Sequence, residues 1–208
     1  MITSEMILEL RNDVEQRLSQ KRFSHTLGVE RAAVLIGEKC LPSKLNELRA
    51  AALLHDIAKE LSTEDQIEIL IKNEFPLNDD DLKSPQILHS FVAPYVIITD
   101  FPRFATKEIL NATRFHTVGD ADMTVFDEII FIADFVEDTR EYDACIDTRN
   151  ILFEALKSNS TEDNVSELHK VVLHVFDFTE QYLIKKQRPL NSRMFNARKS
   201  IEAKILHY

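Results

Sequence analysis

Apolar positions recur at helical spacing along most of this 208-residue chain, and residues that break helices are few. With only 3 glycines and 6 prolines, this pattern predicts a protein that is nearly all α-helical, without a substantial sheet. The predicted helices are residues 4–19, 24–40, 43–58, 62–72 and 106–115, a helix after Pro85 that carries His89, an apolar helix after Thr124 that carries Asp134, two helices after Tyr142 of which the second covers 162–186, and a last segment over 191–207.

Capping residues and prolines set the predicted boundaries of these helices. Ser43 follows Leu41-Pro42 and is expected to cap the helix that runs through His55-Asp56. Pro94 is expected near the first turns of the His89 helix, where proline costs least, or to kink this helix if the helix begins earlier. The acidic run at residues 79–81 is expected to be a solvated loop or the first turn of a helix.

Composition narrows the class of protein. A hydrophobic content of 44% in 208 residues suits one domain with a sizeable core. The net charge of −10 argues against nucleic acid as the main partner, although a bound metal would still allow a small phosphorylated substrate. Cys40 and Cys145 are isolated, which predicts reduced thiols in a cytoplasmic protein. The charged, amphipathic first residues predict neither a signal peptide nor a membrane span.

Four histidines and two aspartates are candidates for a metal centre. His55 and Asp56 end an apolar run, and Asp134 has apolar neighbours on both sides. Burying such groups without a partner costs several kcal/mol, on the order of the penalty for unpaired polar or charged groups, whereas histidine and carboxylate together suit Mn, Fe or Zn. Six ligands exceed what one tetrahedral ion needs, so the number indicates two ions. The candidates are His25, His55, Asp56, His89, His116 and Asp134.

Taken alone, His25 could be a surface residue at a helix start and His89 an ordinary histidine at a helix N-terminus, and only the combination favours a metal site. No glycine-rich phosphate loop is present, which argues against Rossmann and P-loop proteins. His169, His174 and His207 are predicted to be surface or packing residues. His169 and His174 are five positions apart, so they do not share a helix face.

The order His, His-Asp, Asp resembles the HD-domain metal-dependent phosphohydrolases, and the two histidines in between resemble the members that hold two metals. The flanking residues are similar to the YqeK family over nearly the whole chain. They are Arg22–Val29, His55–Lys59, Ile87–His89, Arg114–Gly119, Asp127–Glu137, Tyr182–Ile184 and Asn196–Arg198. The resemblance implies an all-α, HD-domain helical bundle that forms a single domain over residues 1–208, with the helices after about residue 150 packed on it.

YqeK proteins are symmetrical diadenosine tetraphosphate hydrolases, which release two ADP. The resemblance implies that His25, His55, Asp56 and Asp134 bind one ion, and that Asp56, His89 and His116 bind the other. Asp56 would then bridge two ions that share an attacking hydroxide. The resemblance also implies that Asp56 and Lys59 are catalytic residues, and that Lys59, Thr117 and Arg140 contact the substrate. Iron is the metal implied most often, with Mn, Co or Ni as alternatives.

Two other functions stay open at this point. The protein could be an HD phosphohydrolase of nucleoside mono-, di- or triphosphates, or a non-catalytic sensor that keeps the metal site for nucleotide binding. The complete ligand set, together with Lys59, favours an enzyme, because a site that has lost its catalytic activity usually loses ligands as well. The expected partner is a small nucleotide, not nucleic acid or a membrane, and the amphipathic first helix is compatible with a homodimer.

Overall fold

The computed structural model describes residues 1–206, and all regular elements in that range are helical. The α-helices are α1 (Ser4–Glu15), α2 (Gln20–Cys40), α3 (Leu45–Leu54), α4 (Thr63–Lys72), α5 (Asp79–Leu82), α6 (Leu88–Asp100), α7 (Lys107–Phe115), α8 (Val125–Val136), α9 (Asp143–Ala155), α10 (Thr161–Lys185) and α11 (Ser192–Leu206). The prediction of an all-α helical bundle is confirmed. His207 lies outside the described residues.

Helices α3 and α8 form the centre of the bundle. Every side chain from Ala50 to Leu54 is fully buried, and α8 buries nine of its 12 residues. Helix α8 contacts α2, α3, α7, α9 and α10. A Thr124–Asp127 capping box fixes where α8 begins. Such a cap stabilises a helix by about 1 kcal/mol. Because both helices lie at the centre, His55 and Asp56 after α3 and Glu137 after α8 are also buried.

The helix that was predicted to carry the His-Asp pair is shorter than expected and ends before the pair. Pro42–Lys44 forms a 3-10 turn, so α3 begins at Leu45 and Ser43 is not its cap. The prediction was wrong because Pro42, with its fixed φ, starts a tighter turn first. Helix α3 then ends at Leu54, and the chain continues in tight turns in which Lys59 donates its backbone N–H to the carbonyl of Asp56 at 2.9 Å.

Two other boundaries also differ. Helix α1 ends at Glu15, before the predicted residue 19. Helix α2 begins at Gln20, earlier than predicted, so Arg22 shares a helix with His25. Pro94 is the seventh residue of α6 and so lies near its first turns, as predicted. The acidic run forms the first turn of α5, one of the two alternatives, but Asp81 is buried and pairs with Arg193 at 3.0 Å.

The C-terminal helices pack on the rest of the bundle. Helix α10 contacts α2, α8, α9 and α11. The buried carboxylate of Glu128 on α8 lies 2.6 Å from His169 Nδ1 on α10 and 2.7 Å from Lys204 Nζ on α11. His169 is therefore a packing residue, whereas His174 is exposed. Within residues 1–206, no helix combines the length and apolarity that crossing a membrane requires.

Candidate metal centre

The structure brings the six predicted ligands together. Five of them lie at or next to helix ends, and one lies within a helix. His55 and Asp56 directly follow α3, and His116 directly follows α7. His89 is the second residue of α6, and Asp134 lies in the last turn of α8. The sixth residue, His25, projects from the first half of α2. Because several helix ends meet here, side chains from different helices reach a common point.

His25, His55 and Asp134 form one set of donor atoms, all within 4.8 Å of one another. His25 Nε2 lies 3.0 Å from Asp134 Oδ1, and His55 Nε2 lies 3.9 Å from the same oxygen. Asp56 adds Oδ2, at 3.6 Å from His55 Nε2 and 3.8 Å from His25 Nε2. Ligands bound to one ion at about 2.1 Å lie roughly 3–4 Å apart, so these separations fit a shared ion.

The other oxygen of Asp56 faces a second set of donor atoms. Its Oδ1 lies 3.1 Å from His89 Nε2 and 3.6 Å from His116 Nε2. The two imidazoles are themselves 3.1 Å apart at their Nε2 atoms. Asp56 thus presents one oxygen to each set, which is the geometry of a bridging carboxylate.

Backbone carbonyls fix the tautomers of two of these histidines. His55 Nδ1 lies 2.7 Å from the carbonyl of Ala52, and His116 Nδ1 lies 2.7 Å from that of Thr113. A carbonyl only accepts, so Nδ1 carries the hydrogen and Nε2 keeps its lone pair. Burial lowers the pKa of His55 to about 3, which keeps the ring neutral and able to bind a metal.

The chemistry of the donor set fits a transition metal. His55 Nε2 is buried without a hydrogen-bond partner, and carboxylate oxygens of Asp56 and Asp134 lie 3.6 and 3.9 Å from it. The ring nitrogens with lone pairs and the carboxylate oxygens are all acceptors, so they need a cation between them. A set of imidazole and carboxylate ligands suits Fe, Mn, Co or Ni better than Mg. Burial opposes ionisation of Asp56, but His55, His116 and His89 outweigh it and hold the pKa of this carboxyl well below its usual value. The carboxylate is therefore charged and ready to bind.

Glu137 is a member of this site that sequence reasoning did not single out. Its Oε1 lies 3.1 Å from His25 Nδ1, and its carboxylate also accepts from the backbone N–H and hydroxyl of Thr139, both at 2.7 Å. Glu137 is only 1% exposed. A carboxylate behind a histidine ligand orients the ring and makes it a better donor. Although burial lowers it, Asp134 and Glu137 together raise the pKa of His25 to about 9.

Gly28 makes room for that carboxylate. A Cβ atom on Gly28 would lie 2.2 Å from Glu137 Oε2 and 3.1 Å from Asp138 Oδ1. Such an approach is closer than any ordinary contact, so the carboxylate can stay against His25 only while residue 28 has no side chain.

Three cationic side chains surround the candidate ligands. Lys59 Nζ lies 3.0 Å from His89 Nε2, and Arg140 Nη2 donates to Asp134 Oδ1 at 2.5 Å. Arg22 donates to Asp56 Oδ2 at 2.8 Å. The sequence had suggested Arg22 only as one of the residues that precede His25, without a role in the site. Thr117 Oγ1 is at 3.5 Å from His89 Nε2. Lys59, Arg22 and Arg140 thus place three cationic groups beside the candidate ligands.

Helical spacing could have identified both missed residues. Arg22 precedes His25 by three positions on α2, and Glu137 follows Asp134 by three positions at the end of α8. Residues three apart lie on the same side of a helix. A polar residue one turn from a candidate ligand was therefore a usable signal in both places.

Comparison with known proteins adds independent observations. The family model for the HD domain matches residues 22–138, which is more than half of the chain. The symmetrical bis(5'-nucleosyl)-tetraphosphatase of Bacillus subtilis is 27% identical over 85% of this chain and 87% of its own length. The protein of the same name from Staphylococcus aureus is 26% identical over 83% of this chain and 82% of its own length.

A solved structure has the same fold. The crystal structure of a predicted HD superfamily hydrolase involved in NAD metabolism, from Clostridium acetobutylicum, aligns with a TM-score of 0.81 at 27% identity. The alignment covers 98% of this chain and all of the other. The likeness therefore includes the C-terminal helices α9, α10 and α11, beyond the segment that the family model matches.

Proposed function

Because the chain belongs to the HD-domain family, we propose that it is a metal-dependent hydrolase that cleaves diadenosine tetraphosphate symmetrically into two molecules of ADP. The observation that carries this proposal is Asp56, whose two oxygens face two separate sets of histidine and carboxylate donors. Relatives that match most of the chain bear the name of symmetrical bis(5'-nucleosyl)-tetraphosphatase.

Two bound transition-metal ions, with iron as our first choice and Mn, Co or Ni as alternatives, would supply Lewis-acid activation of water and of the phosphate oxygens. His25, His55, Asp56 and Asp134 are proposed to hold one ion, and Asp56, His89 and His116 the other. The protein supplies the orientation. Carbonyls behind His55 and His116 and the carboxylate behind His25 fix each ring, so the ligand geometry exists before substrate arrives.

Lys59 is the proposed charge-stabilising residue of the reaction. Hydrolysis adds water to one phosphorus, breaks its bond to the bridging oxygen and leaves ADP on each side. Negative charge grows on the leaving and nonbridging oxygens, and a fixed ammonium close to them lowers the barrier. Lys59 Nζ lies within 3.1 Å of both ring nitrogens of His89, which places it at the edge of the second donor set.

The symmetry of cleavage depends on how the phosphate chain is held. We propose that Lys59, Thr117 and Arg140 contact the phosphates of the substrate, and we add Arg22 to this group. Arg22 and Arg140 approach the first donor set, whereas Lys59 and Thr117 approach the second. Cations on both sides of the centre can hold phosphates on both sides of the bond to be broken.

Product analysis tests the proposed function. Protein reconstituted with Fe(II) or Mn(II) should convert diadenosine tetraphosphate to ADP as the only nucleotide, which chromatography measures. AMP and ATP in equal amounts would refute symmetrical cleavage. Hydrolysis of other nucleotides alone would indicate a different HD phosphohydrolase, and nucleotide binding without turnover would indicate a sensor.

Metal counting tests the bridging role of Asp56. Elemental analysis should find two transition-metal ions per chain. His116→Ala should remove one of them, because the first set keeps its own four ligands, whereas Asp56→Ala should weaken both. Loss of both ions from His116→Ala, or one tightly bound ion in Asp56→Ala, would contradict the assignment.

We further propose that residues 1–208 act as one domain in the cytoplasm. The packing of α10 on both α2 and α8 supports a continuous core. Cys40 and Cys145 are buried free thiols, which suits a reducing compartment. A small nucleotide remains the proposed partner, and a homodimer remains a prediction that size-exclusion chromatography with light scattering can measure.

A further inference from the structure

A cleft of about 750 Å³ opens directly onto the candidate metal centre. His25, one of the proposed ligands, forms part of its wall, and so do Arg22 and Arg140. A molecule in this cleft would therefore touch the centre at one end. The remaining lining residues are Ser19, Lys21, Glu60, Glu137, Thr139, Glu141 and Tyr142.

The inner part of the cleft suits phosphate. Arg22 donates to Asp56 through Nη1, and Arg140 donates to Asp134 through Nη2. Each guanidinium has five N–H donors, and planar pairs of these donors match phosphate oxygens. Two guanidinium groups that share one cleft wall with His25 can thus bind phosphates next to the centre.

The acidic residues of the cleft do not cancel this charge. Glu137 is buried and engaged by His25 and Thr139. The carboxylate of Glu60 accepts from both the backbone N–H and the hydroxyl of Ser19. Both carboxylates therefore have partners of their own. Glu141, the third acidic residue of the cleft, is exposed, so solvent screens its charge. The guanidinium N–H groups that do not contact Asp56 or Asp134 remain available to an anion.

Tyr142 supplies an aromatic surface in the same cleft. Its side chain is 76% exposed although its backbone is held, because its carbonyl accepts from the N–H groups of Cys145 and Ile146 at 2.8 and 3.0 Å. The residue thus has a fixed position at the start of α9 and an open ring. It follows Arg140 by two residues, a separation of at most about 7 Å between Cα atoms.

We propose that this cleft binds one nucleoside diphosphate half of the substrate, with the base stacked on Tyr142 and the phosphates held by Arg22 and Arg140. An exposed aromatic ring can stack on any base, since every base has a π-face. The proposal rests on the proposed function for the identity of the substrate. It assigns base binding to Tyr142 and leaves bond cleavage to the metal centre.

The test separates base binding from phosphate binding. In metal-reconstituted protein, Tyr142→Ala should raise the KM for diadenosine tetraphosphate and the inhibition constant of ADP by about tenfold, the range of one lost base stack. The kcat should stay within about twofold of the wild-type value, and the inhibition constant of pyrophosphate, which has no base, should not change. Tyr142→Phe keeps the ring and should behave as wild type.

Tyr182→Ala is the matched control, because Tyr182 is an aromatic residue with 44% exposure on α10, away from the cleft. Unchanged constants in Tyr142→Ala would overturn the proposal, and so would an equal rise for pyrophosphate, which would indicate a displaced Arg140. If the wild type does not cleave diadenosine tetraphosphate, calorimetric ADP binding that Tyr142→Ala weakens would still support the subsite. Wild-type protein that binds no ADP would overturn it.

Discussion

At the scale of single residues, the candidate centre depends on atoms behind the ligands as much as on the ligands. His25 has a carboxylate at its Nδ1, whereas His55 and His116 have carbonyls there. Only the carboxylate can move easily, since the carbonyls belong to the helical backbone. The orientation of His25 is therefore the one most open to change by a substitution nearby.

Gly28→Ala should weaken metal binding without unfolding the protein. The new methyl group would displace the carboxylate of Glu137, from which it would be only 2.2 Å, and so remove the support of His25. Loss of such a partner costs about 10–100-fold in metal affinity. Competition with a chelator measures this value. Gly37→Ala is the control, because the atoms nearest to its methyl group would be side-chain carbons of Leu48 and Leu45, neither of which is a proposed ligand. Equal metal affinity in both variants would contradict the role of Glu137.

Lys59→Ala should lower turnover of diadenosine tetraphosphate by about tenfold to a thousandfold, the range for losing one charge-stabilising group. Metal content should not change, because Lys59 is not a proposed ligand. Steady-state kinetics and elemental analysis of the same samples measure the two quantities. Lys72→Ala, which removes an exposed lysine at the end of α4, should match the wild type in both. A Lys59→Ala protein that has lost its metal would show that the residue acts on the site itself.

At the scale of helices, buried charges join elements that are far apart in the chain. Glu128 on α8 faces both His169 on α10 and Lys204 on α11, and it is fully buried. Since α8 also carries Asp134, this contact fixes the C-terminal helices to the helix that supplies a proposed ligand. A single carboxylate thus contacts side chains from two other helices.

Glu128→Ala should destabilise the protein by about 3 kcal/mol, because buried His169 would lose the carboxylate at its Nδ1 and Lys204 would lose its ion pair. Urea unfolding followed by circular dichroism measures the free energy of unfolding. Glu154→Ala provides the comparison, since its pair with Lys157 is exposed, at 74% and 65% of the two side chains. An exposed pair contributes about 0–1 kcal/mol. Similar losses in the two variants would show that the buried cluster contributes no more than a surface pair.

At the scale of the whole molecule, the six candidate ligands connect five helices. They lie on or directly after α2, α3, α6, α7 and α8, so a bound ion would join segments from residue 25 to residue 134. The unfolded chain does not hold these groups together. Binding therefore stabilises the folded state by mass action.

Removal of metal with a chelator should lower the Tm of the reconstituted protein by about 5–10 °C. A ligand at a hundred times its Kd adds about 2.7 kcal/mol, and each kcal/mol shifts the Tm of a chain of this size by about 2–4 °C. Differential scanning calorimetry gives the shift. In Asp56→Ala, the Tm values of the metal-loaded and the chelated samples should be nearly equal. A chelator effect that is equally large in Asp56→Ala would mean that the stabilising metal binds elsewhere.

The sequence by itself determined the fold class and the candidate ligands. Apolar spacing of 3.6 residues is local, so it identified most helices, and the His, His-Asp, Asp order indicated metal chemistry from residue type alone. It did not determine that α3 ends at Leu54, before the His-Asp pair, because a local pattern does not state where turns will replace helix.

Only the tertiary structure decided which distant residues support the site. Glu137 lies 112 positions from His25, and Glu128 lies 41 positions from His169. Tyr142 shares a cleft with Arg22, which is the first residue that the HD-domain family model matches. Helical periodicity shows which face of a helix is buried, but not which faces meet, because that depends on how all the helices pack at once. The partners of each ligand could therefore be assigned only when the packing was known.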